Sequence, residues 1–181
     1  MKQKRIFILC AMSLGILAPL FAGDIGLRGE LNGIGAEFSL HVYLQNVYDI
    51  HGLAFDLVYT TTSLQLKDRD GNLGNGAQPV IQEWGVLSEG NKATVLMEGA
   101  LEMERAGRLV MGATRTGSLA GVDIAGQNSI LSVAMILLKN PPTAPVLQNI
   151  YAEDHWGNPI ELNILPTELY NLPPMSLWLL R

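Results

Sequence analysis

Residues able to do acid–base or metal chemistry are few and scattered in this chain. Three histidines occur in 181 residues. His41 stands on the polar side of an alternating run, while His51 and His155 fall in turn-like segments. No His-Glu-x-x-His occurs, and no serine sits in a Gly-x-Ser-x-Gly elbow. Glu102 with Glu104, and Glu153 with Asp154, are carboxylate neighbours in sequence. Hydrolysis of a glycosidic bond needs instead two acids facing each other across a cleft. The one cysteine, Cys10, lies in the apolar N-terminal segment, so the rest of the chain has no thiolate nucleophile, disulfide or thiolate metal site. No catalytic residue is assigned, and an enzyme is the weakest of the function classes.

One loop has the donor pattern of a cation site. In Asp68-Arg69-Asp70-Gly71-Asn72, oxygen ligands at Asp68, Asp70 and Asn72 beside a glycine suit a hard cation such as calcium. The third acid and the distant bidentate Glu of an EF-hand are missing. Asp, Gly and Asn are also what a tight hairpin turn requires, so a polar turn without a cofactor is the expectation. The aromatic residues could stack on sugar rings, but Trp84, Trp156 and Trp178 fall in separate segments. Tyr59 alternates with Phe55 and Leu57 and is expected in the core. Trp84 and Trp156, next to turns, are the candidates for exposed aromatics.

The elements that must hold these residues read as strands. From Phe38 to Gln45, Phe38, Leu40, Val42 and Leu44 alternate with Ser39, His41, Tyr43 and Gln45, the period of a half-buried strand. After a turn at Tyr48-Asp49, the run from Gly52 to Tyr59 alternates again. Further β-like runs are 64–66, 92–98, 108–114, 129–138, 147–152 and 159–162, separated by Gly, Asn and Asp clusters. The stretch 80–87 reads as a strand or short helix, and 100–105 as one helical turn. Pro141-Pro142 and Pro145 form a rigid crossing between two β segments. Short strands at turn-punctuated spacing predict an all-β protein, a β-sandwich or jelly roll.

Composition narrows the partners. Hydrophobic residues make up 48% and charged residues 16%, enough apolar chain to bury a core. With 12 Lys+Arg against 17 Asp+Glu, there is no basic surface to displace counterions from phosphates, and nucleic acid is not an expected partner. Lys2, Lys4 and Arg5, the apolar run from Ile6 to Leu17, Pro19 and the small-residue exit at Ala22-Gly23 have the layout of a signal peptide over residues 1–22. Cleavage there would leave no transmembrane span. It would also leave 9 Lys+Arg against 17 Asp+Glu, a net charge of −8, in a secreted, periplasmic or cell-surface protein.

The segment Gly52-Leu53-Ala54-Phe55-Asp56-Leu57-Val58-Tyr59, preceded by Gln45-Asn46-Val47 and followed by Leu64-Gln65-Leu66, resembles a cohesin module. The second half fits as well, with Gly112-Ala113-Thr114-Arg115-Thr116-Gly117, Gly121-Val122, Gly126 and the strand Ile130-Leu131-Ser132-Val133-Ala134-Met135. The resemblance spans residues 24–165 and leaves 166–181 as a C-terminal tail. It implies a sandwich of about nine strands with jelly-roll topology, and a non-catalytic function in which a flat sheet face docks a calcium-loaded dockerin-type partner. A carbohydrate-binding module taking polysaccharide on the same scaffold is the alternative, and an adaptor of the envelope or secretion machinery a second one. If Phe55, Leu57 and Tyr59 face inward, Asp56 and Val58 face out. The same phase, with Val95 and Met97 inward, turns Leu96 and Glu98 out. Asp56, Val58, Leu96 and Glu98 are therefore the expected partner-binding residues.

Overall fold

The computed structural model describes residues 23–71, 78–88, 94–103, 106–116 and 120–171, with 94–103 and 106 described by their backbone alone. The signal-peptide reading, Asn72, Glu104 and Trp178 lie outside the described residues. All regular elements among the described residues are strands. They are β1 (Gly23–Leu31), β2 (Glu37–Tyr59), β3 (Leu64–Leu66), β4 (Ile81–Glu83), β5 (Thr94–Met103), β6 (Ala106–Arg115), β7 (Val122–Leu137), β8 (Val146–Asp154), β9 (Leu162–Ile164) and β10 (Glu168–Asn171). No described helix is long and apolar enough to cross a membrane.

The 23-residue β2 belongs to both layers of the sandwich. Its first part, through Gln45, pairs with β1 on one side and β7 on the other. From Gly52 onward it pairs with β6 and β8. The first layer is completed by β9 and β10, parallel to β1, and by β3 and β4 on β7; the second by β5 on β6. The crossover lies at residues 46–51, where the pairing register shifts and Asn46 and Asp49 take φ of 54° and 57°. Asn and Asp tolerate this left-handed backbone better than other non-glycine residues, and bulges of this kind bend strands between sheets. The expected turn at Tyr48-Asp49 is thus a bend within one strand, and His51 is a strand residue. A jelly-roll count of about nine strands becomes ten assigned elements, with β2 shared.

The inner faces meet in one apolar cluster. Leu40, Val42 and Leu44 of β2 pack with Ile25 and Leu27 of β1 and with Leu131, Val133 and Met135 of β7. Phe55, Leu57 and Tyr59 join them from the second layer with Leu109 and Met111 of β6 and Leu147 of β8. Full burial of each Leu or Phe contributes about 2 kcal/mol, so this alternation is what holds the layers together. Tyr43 departs from it: placed by phase on the polar face, it is only 2% exposed. Its cross-strand partner is Gly26, and the phenol lies down where a side chain at 26 would stand.

Other expectations shift at element ends. The segment 80–87 contains the strand β4, and residues 100–103 belong to β5 rather than to a helical turn. Strand β10 lies inside what the sequence reads as a tail, its four residues registered against Arg28 to Leu31. The proline crossing joins β7 to β8, and the Asn140-Pro141 peptide is cis.

Candidate docking face

The outer face of the second layer is built in rows across β8, β2 and β6. Val146, Val58 and Arg108 form one row, Gln148, Asp56 and Val110 the next, and Tyr151, Ala54 and Gly112 the third. Small residues at 54 and 112 keep the third row flat. Val146, Val110 and Tyr151 are 46%, 41% and 49% exposed, while Val58 is half-buried. Exposed Gln148 and Asn149 and half-exposed Arg108 interrupt this apolar surface.

Asp56 has the predicted phase but not the predicted exposure. It shares a row with exposed Val110, yet it is only 3% exposed because two side chains close over it. Arg108 Nη2 donates to Asp56 Oδ2 at 2.5 Å, and Asn149 Nδ2 donates to the same oxygen. Asn149 occupies the β8 bulge next to Gln148, the register partner of Asp56, with φ 50°. Burial pushes the Asp56 carboxyl upward, but the hydrogen bonds from Asn149 and Arg108 and the Arg108 charge outweigh it, so it titrates below the usual carboxylate range. Asp56 therefore braces the face, and what it presents outward is the half-exposed Arg108.

Leu96 and Glu98 lie on β5, which is placed by its backbone register with β6. In the β5–β6 register they lie opposite Ala113 and Met111, the buried row of β6, and not in line with Arg108 and Val110. The positions in line with that exposed row are Leu101 and Gly99. The side chains of β5 lie outside the described residues. Arg108, Val110, Val146 and Asn149 were not singled out from the sequence. For β6, alternation against Leu109 and Met111 carried the signal; for β8, only the register with β2 could reveal it.

The calcium candidate is a self-satisfied turn in its described part. Asp68 Oδ1 accepts from the Asp70 amide at 3.1 Å and Oδ2 from the Gln78 amide at 2.7 Å. Asp70 Oδ2 accepts from Gln78 Nε2 at 3.4 Å. No group of three or more His, Cys, Asp or Glu among the described residues is placed to hold a metal ion. Both Asp68 oxygens stiffen the loop, so millimolar calcium is expected to leave the melting temperature unchanged; a rise of several degrees in a calcium titration would restore the ligand reading.

Of the histidines, His155 is brought to a carboxylate. His155 Nδ1 pairs with Asp49 Oδ2, tying the β8–β9 turn to the crossover of β2. Asp154 Oδ1 caps that turn by accepting from the Trp156 and Asn158 amides, each at 2.8 Å. As expected, Trp84 and Trp156 are exposed, at 47% and 77%, and Tyr59 is buried.

Two layers with one strand shared between them define a β-sandwich, and comparison with known proteins shows which β-sandwich fold it is. No protein-family profile and no curated protein sequence matches the chain. Solved structures do. The second type II cohesin module of the adaptor ScaA scaffoldin of Acetivibrio cellulolyticus superimposes with a TM-score of 0.64 at 15% identity, covering 87% of this chain and 94% of that one. A type II cohesin of the same organism, in a cohesin–X–dockerin complex, gives 0.62 at 14% identity over 83% of this chain and 99% of its own. A non-cellulosomal cohesin from Archaeoglobus fulgidus gives 0.56 at 13% identity over 85% and 94%. The chain has the cohesin fold, in a form divergent from each of these in sequence.

Proposed function

We propose that this chain is an exported, non-catalytic docking module that takes a dockerin-type protein domain on the outer face of β8, β2, β6 and β5, in an extracellular or cell-surface assembly. The observation that carries this reading is the face itself: Val110, Val146 and Tyr151 exposed around Arg108, which buried Asp56 holds in place. A rigid, flat patch with apolar groups and one fixed cation suits the side of a helix pair, because little side-chain entropy is lost when it docks. The solved cohesin complexed with a dockerin supports the class of partner. The signal-peptide layout of residues 1–22 supports export.

The test is binding of dockerin-bearing proteins, identified by mass spectrometry in the secreted and envelope fractions of the source organism, to the immobilised chain with calcium present. Val110→Asp places a charge in the apolar centre of the face and is expected to weaken that binding by about tenfold or more. Retention of dockerin-bearing proteins by wild type and not by the variant is the expected result. Equal retention by both, or no dockerin-bearing protein retained, refutes the reading.

A further inference from the structure

We propose that the outer face of the first layer, on the other side of the sandwich from the docking face, binds a neutral glycan chain across its strands. The site follows from the strand register. Glu168 of β10 lies beside Arg28 of β1, Arg28 beside His41 of β2, and His41 beside Ser132 of β7, which in turn pairs with Gln82 of β4. One row of polar residues thus crosses five strands. At about 4.8 Å per strand spacing it runs roughly 19 Å, the length of a short oligosaccharide.

Aromatic groups mark this row and its neighbour. Trp84 follows β4 and is 47% exposed, with its ring centroid 5.1 Å from that of His41. Its Nε1 donates to the buried Ser132 Oγ at 3.0 Å. That bond fixes the indole and uses its only donor, so what it offers a ligand is its π-face, which suits the C–H face of a sugar ring. Tyr170 stands near the other end, 51% exposed and registered beside Glu30, with its hydroxyl donating to Glu168 Oε2 at 2.7 Å. Between them is a cavity of about 240 Å³ lined by Arg28, Gly29, Glu30, Asn32, Ser39 and His41.

The chemistry of that lining selects the ligand class. Asn32 and Ser39 offer both donor and acceptor capacity, Arg28 donors and Glu30 acceptors, the mixture that sugar hydroxyls require. His41 Nδ1 is buried and has no hydrogen-bond partner within the protein, so it is not among the groups the cavity offers a ligand. Burial first, and then the Arg28 charge, hold His41 below its ordinary pKa, so the ring is neutral at pH 7. Arg28 has Glu168 as its cross-strand neighbour and Glu30 two residues on, which cancels the attraction an anionic ligand would need. A protein partner would want a contiguous apolar centre, and Trp84 and Tyr170 are separated by polar residues. A second cleft, of about 480 Å³, continues past the indole toward Asp123 and Asn128.

The experiment titrates the full chain with cellohexaose, xylohexaose, mannohexaose and chitohexaose, followed by calorimetry and tryptophan fluorescence. At least one is expected to bind and to change the emission. Tyr170→Ala, at an exposed rim position, and Trp84→Ala are each expected to weaken it roughly tenfold, one lost stacking contact. Val110→Asp, on the opposite face, is expected to leave glycan affinity unchanged, which separates this site from the docking face. Failure of all four oligosaccharides to bind, unchanged affinity in both aromatic variants, or loss of affinity in Val110→Asp would each overturn the proposal. Because Trp84→Ala also removes the bond to Ser132, its melting temperature is measured alongside, and Tyr170→Ala decides the matter if that variant unfolds.

Discussion

Gly121→Ala is expected to lower folding stability by about 3 kcal/mol, the upper range for overpacking a site that cannot relax. A Cβ at this position would stand far inside contact distance of the Asp49 carbonyl, with Asp49 Oδ1 at 2.7 Å. The obstacle is backbone rather than the end of a flexible side chain, and it is backbone held on several sides. The Asp49 amide donates to Asp123 Oδ1 at 2.9 Å, the Gly121 amide donates to Asp49 Oδ1 at 2.7 Å, and His155 takes the other Asp49 oxygen. Asp49 also carries the positive φ by which β2 changes layers. Moving it out of the way would loosen the joint between the two halves of the sandwich. Urea unfolding of the variant should show a lowered midpoint with the slope retained; an unchanged midpoint would mean that the crossover is softer than its hydrogen bonds imply.

Asp56→Ala is the second large effect, a loss of about 2 kcal/mol, the range for hydrogen bonds to a charged group. Two donors, Arg108 Nη2 and Asn149 Nδ2, lose their shared acceptor. Both lie at the surface and can return to water, which keeps the cost below that of stranding a fully enclosed charge. The pH dependence has a definite sign. Because the folded-state pKa lies below the ordinary 3.8, the contribution is fully present above that value and is lost as pH falls through the lower, folded value. The stability gap between wild type and Asp56→Asn, measured by denaturant unfolding, should be constant from neutral pH down to about pH 5 and should close in more acid solution. A gap that widened on acidification would contradict the assignment of Asp56 as an ionised brace. The same variant frees Arg108, so its dockerin affinity should fall even at pH 7.

Much of this fold was legible because period-two alternation survives wherever one face meets the core. Phe38, Leu40, Val42 and Leu44, and again Phe55, Leu57 and Tyr59, reveal their inward side by spacing alone, and all seven are buried. The bend at Asn46 to Asp49 reads as a turn because Asn and Asp are turn residues. Nothing local shows that the chain continues as the same strand, since that depends on β7 handing over to β6 and β8 as its neighbours. Strand β10 was hidden for a related reason: four residues parallel to β1 carry no turn to announce the pairing, which is made across the whole length of the chain.

The candidate sites show the same division. The side of the sheet that Asp56 faces is a local property and could be read; whether water reaches it depends on Arg108, 52 residues away, and Asn149, 93 residues away. A strand rich in Val, Leu, Met and Ala has no polar side to count from, so for β5 it is the register with β6 that shows which residues lie side by side. The polar row from Glu168 to Gln82 draws on five strands and has no sequence signature at all. By itself the sequence determined the all-β class, the inward residues of β2 and the absence of thiol chemistry after residue 10, because composition and alternation are properties of neighbours along the chain. Tertiary structure alone decided which strands lie side by side, and so which residues share a face, because pairing register is set by contacts between segments far apart in sequence.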